Sequence, residues 1–388
     1  MKIGIITLWQ SFDNYGQQLQ CWALQQQLLK MGHEPYLIRY DTSLKLDGWD
    51  KFFKQFKHII KLLLIIPALK DSYNNKIKRK SNYTCERNKA LRQFKEFRDL
   101  HIIQSKEFYK NLAELRKNPP VADAYIVGSD QVWSYLLSHE ESKSYYLDFG
   151  HSTIKRIAYA ASFSLPTYPE KLKNKLKKLL DKFDAISVRE KTGVTICNSI
   201  GVSSQLVLDP TLLLNKTTYK SIAKKEKVNL DSFIYVYHLN VDSPEDINSS
   251  EILKLANEKN MSVLATTSSG MVKGKELLKG AQYDYSTIPS WIYNIETAKF
   301  VVTTSFHGVV FCLLLHTNFV WIPLKGICAK GNSRVVDLLS ILDMNNHIYS
   351  EVNDIASIYN RNIDWNYVDS KVEDLRKKSI DFLENNLK

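Results

Sequence analysis

The 388-residue sequence has no cysteine framework, no metal motif and no nucleotide fingerprint. Its five cysteines (Cys21, Cys85, Cys197, Cys312 and Cys328) are scattered and odd in number. With no CxxC and no Cys/His spacing suited to zinc, they argue against a structural metal site and for a reducing, cytoplasmic setting. Cys21 and Cys312 lie in apolar helical contexts and read as core thiols. No GxxxxGK[ST] occurs, and no GxGxxG follows the first apolar run, which leaves a P-loop and a dinucleotide cofactor unsupported. HExxH and GxSxG are also absent. No run of 18 apolar residues occurs, so no transmembrane helix is expected. Met1-Lys2 leads into IGIITLW, which is too short for a secretory leader and is followed by a polar loop; none is expected.

What is present is ordinary for globular protein: 24% charged and 44% apolar residues, with 14 Gly and 10 Pro. This excludes disordered, collagenous and low-complexity classes. The length suits two domains. Aromatics reach 11%, including 21 Tyr and 7 Trp, residues often used in pockets that grip flat or sugar-like ligands. The net charge of +12 is localised: Lys51–Arg98 holds 14 Lys/Arg against 3 Asp/Glu. A nucleic-acid binder spreads such charge over a face of the fold, so no nucleic-acid partner is expected. The excess reads instead as a local device for an anionic surface or ligand.

The chain opens as strand (2–9), turn-rich loop (10–16), helix (17–32) and strand (34–41), a βαβ unit. Asn14, Tyr15 and Gly16 then fall at the carboxyl edge of a parallel sheet, where ligands bind. Residues 43–105 read as an insertion with basic helices. In KFFKQFKHIIKLLL, the Phe, Ile and Leu residues share one side and Lys54, Lys57 and Lys61 the other. Such a helix either docks on an anionic membrane surface or packs on the protein with a solvated basic back. Strands follow at 122–133, 155–164, 184–188 and 203–208, and Asp209-Pro210 reads as a domain junction. From Phe233 a second βα series runs to Met344. The expected architecture is α/β, with two Rossmann-like domains facing across a GT-B-like cleft. The expected units are residues 1–212, carrying the insertion, then 213–350, and finally 351–388 as helices crossing back to the first domain.

Polar residues at strand ends carry the candidate chemistry. In TTSFHGVVF (303–311) a buried strand ends, and Ser305, Phe306, His307 and Gly308 open a helix. The helix start favours an anion, and His307 at its mouth can donate to a phosphate or carboxylate, or move a proton. The blander alternative is a capping Ser305 beside a structural histidine. In VGSDQVW (127–133), Asp130 can take a proton from a sugar hydroxyl or orient a diol, or else simply form a turn. In SVREKTG (187–193), Arg189 can grip an anion bidentately or pair with Glu190. In KGNSRVV (330–336), Lys330 and Arg334 flank a helix start. His238, ending the first strand of the second half, is a weaker candidate.

The ordered set NYGQQLQCWALQ, DAYIVGSDQVW, RIAYAASFS, AISVREKTG, VLDPTLLL and VVTTSFHGVVF resembles the polysaccharide pyruvyl transferase family. Each motif is weak alone; six in order, each in the expected strand–loop setting, are specific. The resemblance spans residue 3 to about 345, apart from the basic insertion. It implies transfer of a pyruvyl group from phosphoenolpyruvate to a sugar of a capsular, exopolysaccharide or cell-wall precursor, commonly as a cyclic ketal with loss of phosphate. It implies no nucleotide, redox or metal cofactor. On the family pattern, His307 and Arg189 contact phosphoenolpyruvate, with Ser305, Gly308, Arg334 and Lys330 around them. His307 suits the acid and Asp130 the base. Asn14, Tyr15, Ser129, Asp130 and Ser162 face the acceptor, expected to be a lipid-linked glycan. Residues 51–98 then offer a means of holding the enzyme at an anionic inner leaflet. One departure stands out: some members carry Arg two residues before the histidine, where this chain has Ser305. Arg334 or Lys330 are the candidates to replace that cation.

Two other functions fit the same architecture. A nucleotide-sugar glycosyltransferase needs a carboxylate for a ribose in the second half, where Glu276 and Glu296 are the available residues. A non-catalytic polysaccharide-assembly protein draws support from Ser305.

Overall fold

A computed structural model describes residues 1–9, 14–40, 92–134, 137, 139–226, 229–241, 243–267 and 276–388. The basic helix expected within 52–63 lies outside these residues.

Among the described residues the first sheet has strands β1 (Lys2–Ile6), β2 (Glu34–Tyr40), β3 (Gln104–Tyr109), β4 (Ala124–Val127), β5 (Lys155–Ala161), β6 (Ala185–Val188) and β7 (Gln205–Leu206). They pair in parallel in the order β3-β2-β1-β4-β5-β6-β7. The second sheet contains β8 (Phe233–His238), β9 (Ser262–Thr267), β10 (Gln282–Tyr283), β11 (Phe300–Thr303) and β12 (Phe319–Trp321), also parallel, in the order β10-β9-β8-β11-β12. Parallel sheets are covered on both faces, so their central strands carry continuous apolar runs. β4 (AYIV) and β8 (FIYVYH) are buried along their whole length. The molecule is α/β, with two Rossmann-like units in the GT-B arrangement.

Helices cross between the strands: α1 (Tyr15–Lys30), α2 (Phe94–His101), α3 (Leu112–Lys117), α4 (Glu170–Leu180) and α5 (Lys191–Asn198) in the first unit. After the linking α6 (Lys216–Lys220) come α7 (Ser249–Glu258), α8 (Ile288–Thr297), α9 (Phe306–Leu315), α10 (Ser333–Ile341) and α11 (Ile355–Tyr359). The last helix, α12 (Trp365–Asn386), returns to the first sheet, where Phe382, Leu383 and Leu387 pack with Ile3, Ile5, Ile126 and Tyr159. No helix among the described residues is long and apolar enough to cross a membrane.

The structure corrects the end of the insertion. Gln104 already belongs to edge strand β3, so the segment does not extend to 105. The basic helix expected up to Arg98 is α2, whose Phe94 and Phe97 are buried with Tyr15 and Trp22. This part of the segment is a crossover helix of the sheet, with its apolar side turned inward.

Candidate active site

Arg189 follows the last residue of β6, with its side chain only 1% exposed. Nη1 donates to Asp209 Oδ2 at 2.6 Å and Nη2 to Asp130 Oδ1 at 3.3 Å. Of the two alternatives left by the sequence, the Glu190 pairing is not formed; these two carboxylates take its place. Glu190 is fully buried, and its Oε1 accepts from Ser162 Oγ at 3.0 Å and from the amides of Phe163 at 2.9 Å and Ser164 at 3.2 Å.

Asp209 is the hub. Its Oδ1 accepts from the Thr211 amide at 3.1 Å and the Thr211 hydroxyl at 2.7 Å. Its Oδ2 takes Arg189, lies 3.1 Å from Ser129 Oγ, and stands 3.6 Å from His307 Nε2. Burial opposes its ionised form, but the His307 imidazole, then the Arg189 guanidinium, outweigh that and hold the carboxyl far below its usual range. Asp209-Pro210 is thus an anchor of the site as well as a turn into a short 3₁₀ segment.

His307 reaches this carboxylate from the second unit, in the first turn of α9. Its Nε2 is buried without a hydrogen-bond partner among the described residues. The ring lies against the start of α1, and a Cβ on residue 16 would sit 2.0 Å from His307 Nδ1, so only glycine fits at Gly16. The imidazole of the second unit is held between the start of α1 and Asp209, both of the first unit.

A second guanidinium stands nearby. Arg334, in the first turn of α10, lies over the Phe306 ring at 5.8 Å, and Arg189 lies over the same ring at 4.7 Å. With the Gln131 amide oriented oxygen-inward, its Oε1 accepts from Arg334 Nη1 at 2.8 Å and Nη2 at 2.6 Å. Arg334 has no carboxylate in salt-bridge contact among the described residues. Burial first, and Arg189 second, lower its pKa to about 10, so it stays charged at neutral pH. A small pocket of about 50 Å³ adjoins Arg189, Asp209, Phe306 and Arg334 and is also lined by Leu206 and Leu338.

Not every residue expected at the site takes the place foreseen. Ser305 caps α9, its hydroxyl accepting from the Gly308 amide at 3.3 Å. Gly308 is required by close packing, since a Cβ there would lie 2.2 Å from Thr303 Oγ1. Lys330 is exposed in a 3₁₀ segment, whereas Arg334 shares the Phe306 ring with Arg189. Tyr15 does not face an acceptor: it is fully buried, stacked on Trp291 at 5.0 Å, and donates to the Ser286 carbonyl at 2.7 Å. Ser162 is engaged by Glu190. Ser129 is buried, its amide donating to Gln20 Oε1 at 3.0 Å. Asn14 is half-buried at the N-cap of α1. Asp130, at φ +74°, is close to the site through Arg189. His238 is buried, which lowers its pKa to about 4. Glu296 pairs with Lys220 at 2.6 Å and exposed Glu276 accepts from Tyr285, so both are engaged elsewhere. Sequence reasoning missed Asp209, Glu190 and Gln131. Their signals were present, as the Asp after a strand and as the neighbours of Arg189 and Asp130.

Chemically, two guanidiniums and a helix start can hold a small multiply charged anion, and His307 can move one proton beside it. No curated protein matches the sequence. Solved structures of similar shape include a UDP-N-acetylglucosamine 2-epimerase from Rickettsia bellii (11% identity, 99% of this chain and 98% of that one, TM-score 0.46). Another is a putative UDP-N-acetylglucosamine 2-epimerase from Listeria monocytogenes (10% identity, 98% and 90%, TM-score 0.47). The sequence model for polysaccharide pyruvyl transferases matches residues 14–326, well over half of the chain and the whole span from Asn14 past His307. The chain belongs to the polysaccharide pyruvyl transferase family.

Proposed function

We propose that the protein transfers the pyruvyl group of phosphoenolpyruvate to two hydroxyls of a lipid-linked sugar in a capsular or exopolysaccharide precursor, forming a cyclic ketal and releasing phosphate. The observation that supports this reading is the pair of guanidiniums over one Phe306 ring, with the His307 imidazole sharing Asp209 with Arg189. Phosphoenolpyruvate carries about three negative charges at neutral pH, so it needs more than one fixed cation. Arg334 answers the missing arginine at Ser305.

The reaction needs a proton on the C3 methylene, which makes C2 electrophilic. One acceptor hydroxyl adds to C2 and gives its proton to Asp130. The C2–O bond to phosphate then breaks, its electron pair leaving with phosphate. The second hydroxyl adds to C2 and passes its proton to His307, left neutral by its donation as the acid, closing the ketal. His307 serves as the acid, at the methylene carbon or at the departing phosphate, and Asp209 orients its ring as a positioning residue.

The test is incubation of the full chain with phosphoenolpyruvate and lipid-linked galactose, mannose or hexosamine acceptors, reading phosphate release and the mass gain of the product. His307→Ala is expected to keep the fold and lower turnover by on the order of 10²–10⁴-fold. Turnover like that of the unmodified protein in this variant overturns the assignment. A thermal-shift panel adds the comparison with a glycosyltransferase: phosphoenolpyruvate is expected to stabilise the protein and nucleotide sugars are not.

A further inference from the structure

The groups around the two arginines are out of charge balance with the donor. Asp130, Glu190 and Asp209 are all buried, at 5%, 0% and 1% exposure, beside Arg189 and Arg334. Three carboxylates against two guanidiniums leave a net negative site when the imidazole is neutral, and with His307 protonated as the acid the site is only neutral, so neither state balances a trianion. A trianion entering it meets repulsion unless a carboxylate withdraws or protons are taken up.

The carboxylates are not held equally. Asp209 is fixed by Thr211 through two hydrogen bonds and by Arg189 at 2.6 Å. Glu190 accepts three hydrogen bonds on one oxygen. Asp130 has one side-chain hydrogen bond among the described residues, the 3.3 Å contact from Arg189 Nη2. Its backbone is pinned: the Asp130 carbonyl accepts from the Val132 amide at 2.8 Å and the Ser162 amide at 3.0 Å. The main chain therefore stays in place while the short side chain is free to rotate off Arg189.

We propose that donor binding displaces Asp130 from Arg189. An oxygen of the anion takes Nη2, the freed carboxylate turns toward the acceptor hydroxyl, and the base is deployed only once the donor is seated. Resting on the reading above, this assigns Asp130 a second role as a placeholder anion and orders the reaction, donor before acceptor. It also keeps Nη2 of Arg189 satisfied in the empty site, Nη1 being held by Asp209 throughout.

The test is calorimetric titration of the full chain with phosphoenolpyruvate alone, for the unmodified protein, Asp130→Asn and Asp130→Gly. Asparagine tolerates the left-handed backbone at this position and glycine prefers it, so neither substitution strains the chain. Loss of the competing charge is expected to tighten donor binding about tenfold in both variants, while turnover with acceptor is lost. Equal or weaker binding in the variants, with clear binding by the unmodified protein, overturns the exchange and leaves the donor assignment standing. No binding by any of the three overturns the donor assignment itself, and the exchange with it.

Discussion

At the residue scale, the least replaceable group in the site carries no side chain. Gly16 sits in the first turn of α1, where alanine is ordinarily the better helix former by roughly 0.5–1 kcal/mol. Here a methyl group would occupy the space of His307 Nδ1. Gly16→Ala is therefore expected to cost about 1–3 kcal/mol by overpacking the buried seam, partly offset by alanine's helix preference, and to lower turnover on the order of 10²-fold by pushing the imidazole off its position beside Asp209. A double-mutant cycle separates this from a general defect. Added to His307→Ala, Gly16→Ala is expected to cost almost nothing more, because its only effect is on a ring that is no longer there. Additive losses would show that Gly16 acts through something other than the imidazole.

At the scale of elements, α12 is what the first sheet lacks from its own crossovers. Leu383 is fully buried, and with Phe382 and Leu387 it closes the face formed by Ile3, Ile5, Ile126 and Tyr159. The Ser379 hydroxyl accepts from the Leu208 amide at 2.9 Å, tying the helix to the segment leading to Asp209. Leu383→Ala is expected to lose about 2–5 kcal/mol in denaturant unfolding. A loss under about 0.5 kcal/mol would mean that the helix is a surface appendage. The strands that were readable from sequence, such as β1, β4 and β5, are buried on both faces and show continuous apolar runs. Edge strand β3 escaped because QSKEFY exposes Lys106, Glu107 and Phe108 and has no such run. Strand ends also revealed His307, Arg189 and Asp130, since a polar residue closing an apolar run is visible in one dimension. Asp209 reads in sequence as part of a domain junction, because Asp-Pro is a chain-breaking signature. Its true partners lie 20 residues back and on the other lobe, a relation only the packed sheets create. Tyr15 failed in the opposite direction: its place at a sheet edge was right, but Trp291 of the second unit fills the space an acceptor would need.

At the scale of the whole molecule, the two Rossmann-like units are joined by a core and not by a linker alone. One apolar cluster contains Tyr15, Trp22 and Leu212 together with Tyr237, Trp291 and Phe311. Tyr15 is its centre: stacked on Trp291, edge-on to Tyr237 at 5.6 Å, and bonded to Ser286. Domain interfaces within a chain are commonly more polar and allow relative motion. This one is aromatic and fully buried at Tyr15, so the units are expected to unfold in one calorimetric transition with equal calorimetric and van't Hoff enthalpies. Tyr15→Phe removes the bond to the Ser286 carbonyl and the one accepted from Arg92 Nη1 at 3.3 Å, and is expected to cost about 1–3 kcal/mol while keeping the single transition. Tyr15→Ala opens a cavity between the units, is expected to cost about 3–5 kcal/mol, and separates their melting. Because Gly16 and His307 meet across the same seam, Tyr15→Ala is also expected to lose turnover at temperatures where both units remain folded. Two transitions in the unmodified protein, or full activity in Tyr15→Ala, would mean that the lobes position His307 without this contact.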